Sequence, residues 1–398
     1  MNTPSQISFL DGTFSLIYIP LSLYPLFLQP ILQVLLPQGD CDPDNLDEAI
    51  EGLSIDNKHG FLNISITPVE CSVVCHNNWA EKVFEPIIKR LSKDVSTTVM
   101  ISKDTYLILS VESAAMDAGS RVNELTSPLA MAGIPIFFIT TYYSDFILVP
   151  TKDRQTVQQA LLSRGFEFSD EESTFVSPSA HSRGPSVSSQ PPSTPPPSNI
   201  AELQTRTFEL LKKRNVVPYI EDGLSLVLVS GKEHSKTTQM TDYRRPAPMS
   251  RQPTGANGHG QYNSRRSWLD NVDTKLYTSL ISVLVLQPRF LSMTLAQEDP
   301  PSLLLDKQHL GVFGDSVVGD MSGDLVPIFL DLENLTLEAT GIVSGVAGKL
   351  VAEMQALDTG VSEQLSYLST ARAGAVILSY DQSMKALEIM KPLLVKDD

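Results

Sequence analysis

Cysteine is scarce: Cys41, Cys71 and Cys75 are the three in 398 residues. So small and odd a count excludes the disulfide framework that staples secreted mini-domains, and it fits a reducing, cytoplasmic setting. Positive charge is also short, with 30 Lys and Arg against 46 Asp and Glu and a formal net charge of -16. Such a chain repels phosphate backbones, so no nucleic-acid partner is expected. Catalytic motifs are missing. There is no Walker-type Gly-Lys-Ser run, no GxGxxG after a strand and no GxSxG elbow. The run Cys71–His76 (CSVVCH) has no second CxxC or His pair to complete a zinc site. It reads as two core cysteines on one face of a strand. No catalytic residues, no metal and no cofactor are therefore expected, and the chain does not read as an enzyme.

One apolar run is long enough to test the soluble reading. Residues 13–38 carry no charge, and by length alone they could span a bilayer. The run lacks a basic leading segment, has Asp11 at its mouth and is broken by Pro20, Pro25 and Pro30, each of which removes a backbone donor. A buried strand over 14–19 followed by a helix buried on most faces is the expectation, with no membrane span.

Hydrophobic residues make up 42% of the chain, enough for several cores, and the length suggests two to four domains. Two stretches cannot build a core. Residues 169–200 are dominated by Pro and Ser and read as a disordered linker; 232–266 are rich in Ser, Thr, Gly, Arg and Gln and read as a disordered insert. Solvated spacer is the plain reading of both. Phosphorylation at Ser177, Ser186 or Thr194 is the functional alternative.

The organising feature is a repeat. Four segments beginning at Phe61, Phe137, Phe290 and Leu365 each read as apolar strand, polar turn, apolar strand and helix start. Upstream of each lies a buried-strand pattern (FSLIYIP, YLILSVE, LSLVLVS, LVPIFLDL) and then a helical one. The chain thus parses into four β-α-β-β-α copies at 8–93, 95–168, 201–315 and 323–396. The expected fold class is α+β, with four ferredoxin-like units arranged as two tandem pairs and ligands lodged in the seams between copies.

Copies two and four differ from the others in one place. Glu338-Ala339-Thr340-Gly341-Ile342-Val343 sits between first strand and first helix of copy four, and Met116–Val122 (MDAGSRV) sits at the same place in copy two. Glycine permits a tight turn, a helix N-terminus suits a carboxylate, and the acid can accept from an ammonium. An α-amino acid offers both groups together; an ordinary N-cap is the competing reading. The hairpins add Thr140–Asp145 in copy two and Ser369–Gly374 in copy four, which turn chemistry alone also explains.

These residues carry a resemblance. Thr140–Pro150 (TTYYSDFILVP) and Glu338–Val351 (EATGIVSGVAGKLV) resemble the second and fourth ACT domains of the CASTOR family of cytosolic arginine sensors. The long Pro/Ser linker resembles a fungal-type relative. The resemblance implies four tandem ACT repeats and an amino acid bound between copies two and four. It places strand contacts at Ile134, Pro135 and Ile136, loop contacts at Glu338, Ala339, Thr340, Gly341, Ile342 and Val343, and hairpin contacts at Thr370, Ala371 and Gly374. It also implies a protein partner in nutrient signalling upstream of the target-of-rapamycin complex. Pro135 replaces a serine of the family pattern and Gly374 an aspartate, and the latter loss removes a charge-assisted partner for a cationic ligand. Arginine, a smaller and less basic amino acid, and an empty site all stay open. A ligand-independent scaffold, a regulatory subunit of an amino-acid biosynthetic enzyme and a homodimer are the other functional alternatives.

Overall fold

The structure is a computed structural model that describes residues 6–36, 60–112, 118–169, 197–232, 273–296, 299–356 and 365–395. Cys41, Met116, Asp117, the linker stretch 170–196 with Ser177, Ser186 and Thr194, and the insert residues 233–266 lie outside the described residues.

The first half runs β1 (Gln6–Phe9), β2 (Phe14–Ile19), α1 (Tyr24–Leu35), β3 (Phe61–Ile66) and β4 (Cys71–His76). Short helical pieces α2 (Asn77–Trp79), α3 (Glu85–Arg90) and α4 (Lys93–Ser96) follow. Then come β5 (Met100–Ile101), β6 (Tyr106–Glu112), α5 (Ala118–Met131), β7 (Phe137–Thr140), β8 (Ser144–Pro150), α6 (Arg154–Leu162) and β9 (Glu167–Phe168). The second half repeats the pattern: α7 (Ile200–Lys213), β10 (Tyr219–Ile220), β11 (Leu226–Gly231), α8 (Thr274–Val285), β12 (Leu291–Ala296), β13 (Ser302–Asp306), α9 (Leu310–Phe313) and β14 (Val317–Gly319). It closes with β15 (Leu325–Asp331), α10 (Ile342–Ala356), β16 (Ser366–Ser369), β17 (Ala373–Ser379) and α11 (Tyr380–Leu394).

The apolar run after Thr13 becomes β2 and α1, as its prolines suggest. Tyr24, Phe27, Ile31, Val34 and Leu35 turn one face of α1 inward, at the spacing of a helix face. The Tyr24 hydroxyl donates to the Leu284 carbonyl at 2.7 Å, so this buried phenol is satisfied. No helix among the described residues is long and apolar enough to cross a membrane. Cys71 and Cys75 are free and fully buried on β4, and burial pushes both thiols up.

The sheet does not divide as the sequence suggests. Hydrogen bonding runs β2–β4–β3–β12–β13–β11–β15–β17–β16–β7–β8–β6 and returns to β2. The result is one closed antiparallel barrel of twelve strands, with β1, β5, β9, β10 and β14 as five additions. The expected α+β arrangement of four ferredoxin-like repeats in two pairs is thereby corrected. The joins are short: Phe14 opposite Tyr106, Leu226 opposite Leu325, and Leu368 opposite Ile139. The longer join sets β3 against β12 over six residue pairs.

The physical reason lies in two-sided burial. Every residue of β2, β3 and β8 is buried, so a helix layer on one face leaves the other face apolar and uncovered. Closure buries it. Phe14, Phe61, Phe146, Phe290 and Phe329 fill a core that contains no helix residue, and each such side chain is worth roughly 2–3 kcal/mol of burial. Two outer cores lie under helices. One joins α1 and α8 to β2, β3, β4 and β11–β13. The other joins α5, α6, α7, α10 and α11 to β6, β8, β15 and β17. Helix α7, which opens the 201–315 segment, packs in this second core through Phe208 and Leu211.

Candidate functional site

The loop from Leu332 to Gly341 leaves β15 and enters α10. Gly341 adopts φ +79°, the left-handed region that glycine favours. A Cβ there would also stand 2.7 Å from Leu203 Cδ1. Its carbonyl accepts from the Thr207 hydroxyl at 3.1 Å and from the Gly345 amide at 2.7 Å. The turn therefore fixes where α10 begins, beside α7.

Between this loop, the start of β7 and the β16–β17 hairpin lies a cavity of about 450 Å³, its open mouth included. Leu332, Leu335, Thr336, Leu337 and Ala339 line it from the loop, and Ile342 and Val343 from the first turn of α10. Ile136 and Phe137 close it on the β7 side, and Tyr367, Ser369, Thr370, Ala371 and Ala373 on the hairpin side. No charged side chain is in this lining. A helix's first turn offers N–H groups without intrahelical acceptors, and Ile342 and Val343 put that turn at the wall.

The seam holding the cavity together rests on side chains as much as on strand pairing. The Phe138 amide donates to Ser369 Oγ at 3.0 Å, and the Tyr367 amide donates to Thr140 Oγ1 at 3.0 Å. Behind the hairpin, Glu70 reaches across from the turn between β3 and β4. Its Oε1 accepts from the Thr370 hydroxyl and, at 2.6 Å, from the Arg372 amide. The Ala371 amide donates to Ser72 Oγ at 3.3 Å. Burial raises the Glu70 carboxyl to about 7, with the Thr370 and Arg372 bonds holding it back. Its Oε2 is buried with no hydrogen-bond partner. Arg372 lies over the Tyr18 ring at 4.1 Å and donates to Glu333 at 3.0 Å.

The expected ligand residues are placed as follows. Ile136, Ala339, Ile342, Val343, Thr370 and Ala371 line the cavity together. Ile134 turns into the outer core, and Pro135 and Thr340 are half-buried outside the lining. Glu338 is exposed and takes no part in the wall, so the acid before the glycine is not brought to the site. Gly341 sets the loop without lining the space. Gly374 is buried, and a Cβ there would stand 2.8 Å from the Tyr367 hydroxyl.

Sequence reasoning missed Tyr367 and Glu70. Tyr367 looks like any aromatic strand residue; its signal is the neighbouring glycine that leaves room for the phenol. Glu70 is the lone charge in the stretch from Ile66 to Val73, and an isolated acid in a buried hairpin is the available sign.

The equivalent hairpin of the first half is built differently. Thr140 pairs with Asp145 in the register in which Ser369 pairs with Gly374. Asp145 is fully buried and forms an ion pair with Arg121 of α5. Burial raises its carboxyl to about 6, against the opposing pull of Arg121.

Comparison with known proteins adds one family. A family model described as ACT domain matches residues 101–163, the segment from the end of β5 through α6. No curated protein matches the chain. Among solved structures, an Agrobacterium tumefaciens protein is 18% identical, with 42% of this chain and 93% of that one covered at a TM-score of 0.26. Aspartate kinase from Synechocystis is 9% identical, with 99% of this chain and 57% of that one covered at a TM-score of 0.31. A Vibrio cholerae protein of unknown function is 16% identical, with 40% and 90% covered at a TM-score of 0.23. These TM-scores are low, and the account of the fold rests on the strand pairings themselves. The likeness to the ACT-domain family is carried by residues 101–163 alone.

Proposed function

We propose that this protein is a regulatory binder of a free amino acid and not a catalyst. The observation that carries the reading is the cavity at the start of α10, which six residues singled out from the sequence line together. The ligand's carboxylate meets the first turn of α10, where the free N–H groups and the helix dipole favour an anion. Thr336 and Ser369 supply hydroxyl partners nearby.

Thr370 and Ala371 belong both to the cavity wall and to the contact with Glu70 and Ser72. A ligand that orders this hairpin is thereby felt at the join between the hairpin and the β3–β4 turn. It shifts the chain between arrangements only to the extent that it binds one better than the other. The output, on the resemblance of 140–150 and 338–351 to cytosolic amino-acid sensors, is a protein partner in nutrient signalling upstream of the target-of-rapamycin complex, in the cytoplasm.

A thermal-shift screen of the full chain against the twenty amino acids tests the binding step. A ligand of the folded state raises the midpoint by mass action. The expected result is a saturable shift that is lost in Ala339→Trp, a change at a half-buried loop position that fills the cavity. No shift with any amino acid contradicts the reading and favours a ligand-independent scaffold.

A further inference from the structure

Resting on that site, we infer that its ligand is an amino acid with an uncharged, apolar side chain, such as leucine, isoleucine, valine or methionine, and that the Tyr367 hydroxyl anchors its polar end. The wall is the first observation. Leu332, Leu335, Leu337, Ile342 and Val343 offer hydrocarbon, and none of the lining side chains is charged. A cationic side chain entering such a space gives up its hydration with no carboxylate to replace it, and buried charges persist only when paired.

The second observation is an unmet polar group. Tyr367 is 1% exposed and lines the cavity, and its hydroxyl has no hydrogen-bond partner in the protein. Buried tyrosine hydroxyls ordinarily find a partner. Burial raises this phenol, so it stays neutral and is able to donate to a carboxylate or accept from an ammonium. The unmet hydroxyl is thus a fitting partner for the polar end that every amino acid carries, while the side chain is left to the hydrocarbon wall.

The third observation is an internal control. In the first half, the hairpin position that corresponds to Gly374 carries Asp145, and Asp145 holds the guanidinium of Arg121. An acid at this register is therefore able to hold a guanidinium in this fold. At Gly374 there is no acid, and a Cβ would meet the Tyr367 hydroxyl at 2.8 Å, so the phenol takes the room such a side chain needs. The nearest buried acid, Glu70, stands behind Thr370 and already accepts from it and from the Arg372 amide.

Titration calorimetry of the full chain with leucine, isoleucine, valine, methionine, arginine and lysine tests this. Binding of at least one of the four apolar amino acids is expected, with arginine and lysine at least about a hundredfold weaker. Tyr367→Phe keeps the ring and removes the hydroxyl, and is expected to weaken the apolar ligand about tenfold with the unliganded Tm little changed. Arginine or lysine binding more tightly, and blocked by Ala339→Trp, keeps the site and overturns the ligand class. An apolar ligand indifferent to both Tyr367→Phe and Ala339→Trp overturns the site itself. Binding of none of the six, alongside a shift with a polar or acidic amino acid in the thermal screen, overturns the class alone, whereas a shift with another apolar one supports it.

Discussion

Glu70 is a carboxyl group held out of water by the hairpin it grips. Its pKa is raised from an ordinary 4.5 to about 7, chiefly by burial. The folded chain therefore keeps a proton that the unfolded chain has already released across that interval. Stability falls as pH rises from 4.5 to about 7 and levels off above; the size is about 3 kcal/mol. Asp145 acts with the same sign, but between 3.8 and about 6. Of the two, Glu70 alone still titrates above about 6. Glu70→Gln keeps an acceptor for Thr370 and Arg372 and removes the titration. Urea unfolding over a pH series is expected to show a shallower slope between about 6 and 7 in the variant, with the variant more stable than the parent above about 7. An unchanged slope contradicts the burial argument. At this scale the sequence is a partial guide. The loop and hairpin residues were marked by Gly341 and Thr370. Glu338 was not brought in, because a loop acid beside a glycine is free to face solvent, and nothing in spacing distinguishes the two orientations.

At the scale of elements, α10 is the best test of packing. Ile342 through Gly348 are all buried, as are Leu350, Val351 and Met354, and the small residues among them, Ser344, Gly345, Ala347 and Gly348, allow neighbouring helices close. Ser344 Oγ stands 3.0 Å from Ser127 Oγ on α5. A Cβ at Gly345 would lie 2.7 Å from Thr207 Cγ2 on α7. Thr207 is itself held by bonds to the Leu203 and Gly341 carbonyls, so it has little freedom to yield. Helix propensity alone makes Gly345→Ala stabilising by about 1 kcal/mol. The contact makes it destabilising, by about 1–3 kcal/mol, and Thr207→Ala in the same chain recovers part of that loss. Chemical denaturation of the two single variants and the double variant decides the sign. The four hairpins and the strand–helix alternation were legible because apolar runs and turn residues alternate clearly. The membership of α7 was not, since an amphipathic helix records that it has a buried face but not which core receives it.

For the whole molecule, the closed ring is what the sequence left unread. Strands apolar on both faces were visible in runs such as LVPIFL and FILVP. The partner for the face turned away from the helices was not, because within the twelve-strand ring three of the four joins between copies rest on single residue pairs, Phe14 with Tyr106, Leu226 with Leu325 and Leu368 with Ile139, backed only by the short added strands β1, β5 and β10. Pairings so short leave no periodic trace. Closure has a functional consequence, because it sets the β16–β17 hairpin against Glu70 of the first half and the β7 strand against the cavity. Ligand at the start of α10 is then bounded by both halves of the chain.

The most direct measurement of this account is hydrogen exchange on the full chain with and without saturating apolar amino acid, read by peptide. The account predicts slower exchange confined to the 332–345 loop and helix start, the 366–373 hairpin and the residues leading into β7, with weaker protection around Glu70. Protection elsewhere in the barrel, or none at a ligand concentration that shifts the Tm, contradicts a binding site at the start of α10.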